Sequence, residues 1–454
     1  MIQPHYKKKE KDKLENYRPI ALIPCISKIL EKIILVRLDS FFTRKSLIVP
    51  NQFGYRKNKS TIDANLFLVN EAGQAYAEKQ KVLTIFLDLS KAFDCVNHTI
   101  LLNILEKYGV RGTIHNLIKS YLSERTQVVE ITKTVERHER KFISSERKVK
   151  YSVPQGSVLG PFLFIIYINC IKKLIEDLGG IAIMYVDDTN ILVKGNDLNE
   201  IKDRAILILT SIQKLFTSLN LDLNWDKTVY TIFNAQPENF SLEVNSTVIK
   251  RVEHTPFLGI TINSKLKWND HCESLISNLN KSIFVLSQMV HSLRKDNLIK
   301  TYYAFFHSAI SYGTILWADE RQNKEYCKII FRKQKKAIRI IYQGNPKRKS
   351  CRGKFSKLGV MTLSSLYLYQ SSIFAHKTIS RETNATIHNH NTRKRNQIHQ
   401  TRGDNRSPYI NAIPLYNKLP VELTTIIDSK KFKQKLRTWL IQKEFYSIEE
   451  FLEK

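Results

Sequence analysis

The sequence predicts an α+β body followed by a mainly helical region. Three observations predict it. The chain has 454 residues, more than one hydrophobic core usually serves, so two or three domains are expected. Short runs rich in Val, Ile, Leu and Phe, such as KVLTIFLDLS, KTVYTIF and FLGITIN, read as buried strands among helices up to about residue 263. From about Lys265 the apolar residues recur at helical spacing with basic faces, most plainly in EYCKIIFRKQKKAIRIIYQG.

In order, the opening to about Lys13 is polar, lysine-rich and expected to be exposed. YRPIALIPCISKILEKIILVRLDSFF places Ile26, Ile29, Leu30, Ile33, Ile34 and Leu38 on one helical stripe. NQFGYRKNKST is a loop with a glycine and clustered positive charge. TIDANLFLVNEAGQAYAEK is a second helix, with Thr61 as its cap. The strand KVLTIFLDLS carries Asp88 near its end, and KAFDCVNHTILLNILEKYGV follows as a helix ending near Gly109. IHNLIKSYLSE is another helix. RTQVVEI and KYSVPQGS read as strand pieces joined by the charged ERHERKFISSERK. A helix is expected from Val158 to Leu174, then strand, turn and strand in IAIMYVDDTNILVKG, then the amphipathic helix IKDRAILILTSIQKLFTSLNL. Residues 383–414 are polar, basic and poorly periodic, so a loop is expected. DSKKFKQKLRTWLIQKEF closes the chain as a short helix.

Charge narrows the partners. There are 72 Lys+Arg against 42 Asp+Glu, a net charge of +30 spread along the chain. A protein this basic favours a polyanion, with nucleic acid ahead of an anionic membrane. Six scattered cysteines without a C-x-x-C spacing argue against a disulfide framework or a zinc site. No apolar run reaches the ~18 residues of a membrane span, and the N-terminus has no signal-peptide core. The expectation is an intracellular protein, nuclear or cytoplasmic, with no membrane partner.

Asp187 and Asp188 sit side by side at the tip of an apolar hairpin. Two close carboxylates repel, and one tends to take up a proton. A divalent cation reverses that cost, because Mg²⁺ takes oxygen ligands from one or two carboxylates plus substrate phosphates. Asp88, at the end of another buried strand, supplies a third carboxylate if the two strands are neighbours. An Asp-Asp pair in a turn is also common for structural reasons alone.

The motifs around these residues settle which reading is followed. YVDD at 185–188 and FLDLSKAFDCVNH at 86–98 resemble the two metal-binding motifs of reverse transcriptases, the second in the form typical of LINE-type, non-LTR retrotransposons. NYRPIAL at 16–22, QFGYRKNKST at 52–61, VPQGSVLGPFLFIIYIN at 153–169, LNWDKT at 223–228 and FLGI at 257–260 follow the family's order. LPVEL and FKQKLRTWL further on resemble the jockey and CR1-like branch more loosely. The resemblance implies a right-hand polymerase, with fingers and palm over 1–263, a helical thumb over 264–345 and a basic C-terminal region over 346–454.

It also implies roles. Asp88, Asp187 and Asp188 match the metal-binding carboxylates, with the carbonyl of Leu89 as a further oxygen and Mg²⁺ (or Mn²⁺) as the metal. Phe93 matches the aromatic that excludes a ribose 2′-hydroxyl, its bland rival being a core Phe. Gln155 and Gly156 match the nucleotide or template contact, against an ordinary turn. Arg18 and Arg56 match finger residues that meet the triphosphate, with Lys57 and Lys59 near template phosphates, against a solvated basic loop. Lys227 matches a lysine near the nucleotide, and Leu258 with Gly259 the primer grip. The implied partners are an RNA template, a DNA primer and dNTPs. The implied activity is RNA-directed DNA polymerisation; the alternatives are a silent, truncated remnant that only binds nucleic acid, and an RNA-dependent RNA polymerase. The chain begins at or inside the fingers, so a copy lacking the upstream endonuclease is expected.

Overall fold

A computed structural model describes residues 1–7, 10–123, 125–135, 138–343, 350–378, 397–398 and 406–453. The chain divides into two compact units, one of Met1–Ala64 with Lys81–Val252, the other of Asn65–Gln80 with Glu253–Lys454.

The first unit opens with a hairpin of β1 (Ile2–Tyr6) and β2 (Tyr17–Ala21), so the polar start is partly strand rather than loose chain. Helix α1 (Cys25–Arg44) follows. Its apolar stripe divides: Ile34, Leu38 and Phe42 are buried, whereas Ile26, Ile29, Leu30 and Ile33 are exposed. Helix α2 (Thr61–Ala77), which from Asn65 onward belongs to the second unit, is capped one residue earlier than expected, because Ser60 Oγ accepts from the Asp63 amide.

Strand β3 (Lys81–Leu87) is buried along nearly its whole length, as a central strand with both faces covered must be. After it the expected single helix is a short 3₁₀ turn, Ala92–Asp94, and then α3 (His98–Lys107). Asn97 ends the irregular stretch by accepting from the amides of Thr99 and Ile100 at 2.9 and 3.2 Å. Helix α4 (Gly112–Leu122) follows. The charged connector is itself sheet: β4 (Thr126–Gln127) pairs with β7 (Arg147–Lys148), and β5 (Glu130–Val135) with β6 (His138–Ile143). KYSVPQGS contributes no strand beyond an isolated bridge at Tyr151.

The helix expected over 158–174 is two, α5 (Gly160–Tyr167) and α6 (Ile171–Asp177). The break serves Asn169, whose Oδ1 accepts from the Val49 amide at 3.1 Å and whose Nδ2 donates to the Leu47 carbonyl at 2.8 Å and Tyr108 Oη at 2.7 Å. Buried Glu31 on α1 closes the start of α5. Its Oε2 accepts from the Val158 and Leu159 amides at 2.6 and 3.0 Å, a charge placed at a helix N-terminus.

Strands β8 (Ile181–Tyr185) and β9 (Asp188–Gly195) form the expected hairpin, and α7 (Leu198–Ser218) starts at an Asp197 cap. With β10 (Val229–Phe233), β11 (Leu242–Val244) and β12 (Thr247–Arg251) they complete a six-stranded sheet in the order β11-β12-β10-β3-β9-β8, antiparallel except where β10 meets β12. The core joins this sheet to α1 and α3–α7.

The second unit is mainly helical. It holds the hairpin of β13 (His254–Phe257) and β14 (Ile260–Asn263), so FLGITIN is a turn between strands rather than one strand. Helices Asn269–Met289 and Lys324–Gln343 pack together. In the second of these Ile330, Ile338 and Ile341 are buried, and Arg332 and Lys336 are exposed. The loop expected to run to 414 ends sooner, because Pro408 at the first turn starts a helix to Asn417 with Ala412, Ile413 and Leu415 buried. The histidines of 388–399 and the basic residues 347–349 lie outside the described residues. No described helix is long and apolar enough to cross a membrane.

Candidate active site

The sheet brings the three aspartates to one edge. Strand β3 pairs with β9 so that Leu87 faces Thr189, and one further step of that register sets Asp88 opposite Asp188. Tyr185 pairs with Asp188 across the β8–β9 hairpin, leaving Val186 and Asp187 as its two-residue turn. On its other side Asp88 is anchored by the 222–228 loop. Its carbonyl accepts from the Asn224 amide at 2.9 Å, and the Ser90 amide donates to the Asp222 carbonyl at 2.9 Å. These two bonds leave the carbonyl of Leu89 directed away from that bridge.

Electrostatics tie the carboxyls together. Burial raises the Asp187 pKa; the charge of Asp88 adds to this, while the turn's backbone and Arg18 oppose it. Asp188 is pushed up to about 6 by burial of its carboxyl, then by Asp187 and Asp88. Lys227 Nζ lies 3.3 Å from Asp88 Oδ2 in an exposed pair that solvent screens.

The turn rests in a cradle. Val186 has a φ of +60°, an unfavourable conformation for a β-branched residue, which persists only where its surroundings impose it. The segment 51–54 imposes it by pairing along the outer edge of β8. The Met184 amide donates to the Asn51 carbonyl at 2.9 Å and the Phe53 amide to the Met184 carbonyl at 2.7 Å. Gln52, 1% exposed, accepts through Oε1 from the amides of Gly54 at 2.9 Å and Val186 at 3.0 Å. Gly54 is required by close approach, since a Cβ there would lie 2.4 Å from Val186 Cγ2 and 2.8 Å from its nitrogen.

The PQG turn rests on β2 and on Asp94. Gln155 Nε2 donates to Asp94 Oδ1 at 3.0 Å, and the Gln155 carbonyl accepts from the Ala21 amide at 2.7 Å. Gly156 has a φ of +109°, and a Cβ there would meet the Ala21 carbonyl at 2.8 Å, so only glycine fits. The Phe93 ring stacks on Phe164 with centroids 4.7 Å apart, and the Phe93 carbonyl accepts from the Val153 amide at 3.0 Å.

Residues 6–262 match the family described as reverse transcriptase (RNA-dependent DNA polymerase). That is more than half of the chain. The chain belongs to the reverse transcriptase family. Its fold class is accordingly that of the right-hand polymerases. Similar proteins include a "Probable RNA-directed DNA polymerase from transposon BS" of Drosophila melanogaster, 27% identical over 60% of this chain and 30% of its own length. The "RNA-directed DNA polymerase from mobile element jockey" of Drosophila funebris is 29% identical over 64% of this chain and 32% of its own. This reverse transcriptase chain spans about a third of the length of such relatives. A solved telomerase of Candida tropicalis, in complex with a fragment of telomeric RNA, aligns with a TM-score of 0.41 and 14% identity over 91% of this chain and 57% of that one.

Not every motif residue of the reverse transcriptase is drawn to the aspartates. The Arg18 charge acts on Asp187 and Lys227 contacts Asp88, but burial lowers the Arg56 pKa and the acid that opposes this is Asp39 on α1. Lys59 is folded over the Phe53 ring, 4.5 Å from its centroid. Leu258 and Gly259, with φ of +46° and +81°, make the β13–β14 turn within the second unit; Tyr312 donates to the Leu258 carbonyl and packs its ring at Gly259.

Three contributors went unassigned in the sequence reading: Gln52, Gly54 and Asp94. Periodicity does not distinguish a buried amide that bonds backbone from an exposed one. Only the glycine two residues after Gln52, in a stretch with no helical or strand register of its own, hinted at close approach.

Proposed function

We propose that this chain is the RNA-directed DNA polymerase of a non-LTR mobile element, adding dNTPs to a primer 3′-hydroxyl along an RNA template. The observation that supports it best is the register that sets Asp88 opposite Asp188 with Asp187 at the adjoining turn. In this reading fingers and palm lie within 1–263 and the thumb within 264–345.

The donor set suits a hard divalent cation: three carboxylates, two of which have pKa values raised by burial and then by the neighbouring carboxylate charges. Asp88, Asp187 and Asp188, with the Leu89 carbonyl, would hold Mg²⁺ or Mn²⁺. When bound, such ions neutralise the transferring phosphate and acidify the attacking hydroxyl. Among the described residues no three acidic, His or Cys side chains yet close on one point, and Asp88 leans on Lys227 instead.

The rest is positioning, which dominates phosphoryl transfer. Arg18 and Lys227 offer cations to the triphosphate, and Arg56 joins them only if it leaves its place near Asp39. Gln155, held by Asp94, presents its amide to the nucleotide, and bare Gly156 admits it closely. Phe93, braced on Phe164, blocks a 2′-hydroxyl. Leu258 and Gly259 approach the primer end.

Extension of a DNA primer on an RNA template with dNTPs, compared with rNTPs, tests this. Strong preference for dNTPs supports it; efficient rNTP incorporation points to an RNA polymerase, and no extension with either to a silent remnant.

A further inference from the structure

The β5–β6 hairpin is a six-pair ribbon, ~20 Å long at the usual strand rise, and its two faces are chemically different. Residues directly opposite in an antiparallel pair share a face, and faces alternate along each strand. One face therefore carries Ile131 beside Phe142, then Lys133 beside Arg140, then His138. The other carries Glu130 beside Ile143, Thr132 beside Lys141 and Thr134 beside Glu139. Both acids of the paired strands lie on this second face, where Glu130 is bound to Lys141 at 3.0 Å. Among the described residues the first face carries no carboxylate.

This arrangement is costly in the isolated protein. Like charges directly opposite each other destabilise a strand pair, as Lys133 and Arg140 do. Ile131 and Phe142 are 54% and 53% exposed, and all of β6 is exposed. An anion would relieve the repulsion, and a flat apolar group would cover the ring. A single-stranded polynucleotide offers both within one repeat: phosphate for the cations, a base face for the aromatic. The cation pair and the Ile131–Phe142 pair stand two residues apart, ~7 Å along the strand, so they act side by side.

We propose that this face of the β5–β6 ribbon docks single-stranded RNA, with Lys133 and Arg140 on phosphates and Phe142 against a base. The proposal rests on the polymerase reading for its choice of RNA, the template expected to arrive as a single strand. It adds a template site on an element that none of the recognised motifs includes.

The test is fluorescence anisotropy of the full chain with a fluorescein-labelled oligouridylate, titrated at several salt concentrations. Each phosphate contact to a single strand contributes about 0.7 to the slope of log affinity against log salt. The Lys133→Gln/Arg140→Gln double variant is expected to lose ~1.4 from that slope. Phe142→Ser is expected to bind roughly ten-fold more weakly with its slope unchanged. Lys141→Gln, which removes a charge from the opposite face, is expected to leave the slope as in the wild type. All these positions are exposed, and a thermal melt confirms that each variant is folded. An equal loss on oligothymidylate supports the proposal, because phosphate and base faces are common to both strands. A double variant with the wild-type slope overturns it. So does an equal slope loss in Lys141→Gln, or a loss confined to duplex. Primer extension by the wild type decides the polymerase reading separately. Extension with an unaltered ribbon slope sinks the ribbon alone, and ribbon-dependent binding without extension sinks the polymerase alone.

Discussion

Gly54→Ala measures how closely the turn that carries Asp187 is held. The added Cβ would sit 2.4 Å from Val186 Cγ2, against ~3.5–4.0 Å for ordinary carbon contacts, so about 1 Å must be found. Val186 is 4% exposed and stiff at χ1, so its side chain has little room to turn away. Its nitrogen, 2.8 Å from the new atom, is also fixed by Gln52. Backbone must therefore move, and the moving residue adjoins Asp187. Overpacking of this kind costs ~1–3 kcal/mol. At ~2–4 °C per kcal/mol for a unit of this size, melting falls by roughly 2–12 °C. A catalytic group displaced by about 1 Å loses ~10²-fold in rate. Gly54 is outside the left-handed region, so alanine adds no backbone strain of its own. Thermal melting and single-turnover primer extension below the melting point read the two effects. A Gly54→Ala protein with wild-type melting and wild-type rate would refute the cradle.

Other expectations follow from the same geometry. Gln52→Leu strands the amides of Gly54 and Val186 in the interior, at ~1–3 kcal/mol each, and should lower both melting and extension rate; a normal rate would show that the turn holds itself. Glu31→Ala removes the acceptor for Val158 and Leu159 and should destabilise by roughly 2–5 kcal/mol in urea titration, with no change in metal affinity. Asp188, raised to about 6, binds a proton more readily in the metal-free fold than in the unfolded chain, so its contribution to stability is full below the ordinary Asp range of about 4, falls as pH rises and is gone once pH passes about 6. Mg²⁺ needs the ionised form, so its affinity should fall, with proton release on binding, as pH drops below about 6; calorimetry in buffers of different ionisation enthalpy checks this. Phe93→Val should admit rNTPs, measured as the dNTP/rNTP ratio, and an unchanged ratio would return Phe93 to the core.

Much of this was legible in the chain. The tip YVDD and the strand before Asp88 stood out because apolar runs flank the charges, and β3, β8 and β9 form where β-branched residues concentrate. What was hidden depends on distant partners. The break between α5 and α6 is set by Asn169 reaching Leu47 and Val49, which local apolar periodicity does not encode. The α1 stripe divides because Glu31, a charged residue, faces inward to serve α5. The connector 136–148 reads as a charged link, although 138–143 pair as a strand, because alternation between two polar faces has no hydrophobic period. Asp94 carries no signal of its own, since nothing local shows that Gln155, 61 residues on, is its partner.

In the proposed reading Asp88, Asp187 and Asp188 act as one metal-dependent centre. Extension of a DNA primer on RNA by the wild type, Asp88→Asn and Asp187→Asn, across a Mg²⁺ titration, tests it most directly. Mg²⁺-dependent extension is expected of the wild type, with losses of orders of magnitude in both variants, each still folded. Extension that survives either substitution, or that is independent of the metal, contradicts it.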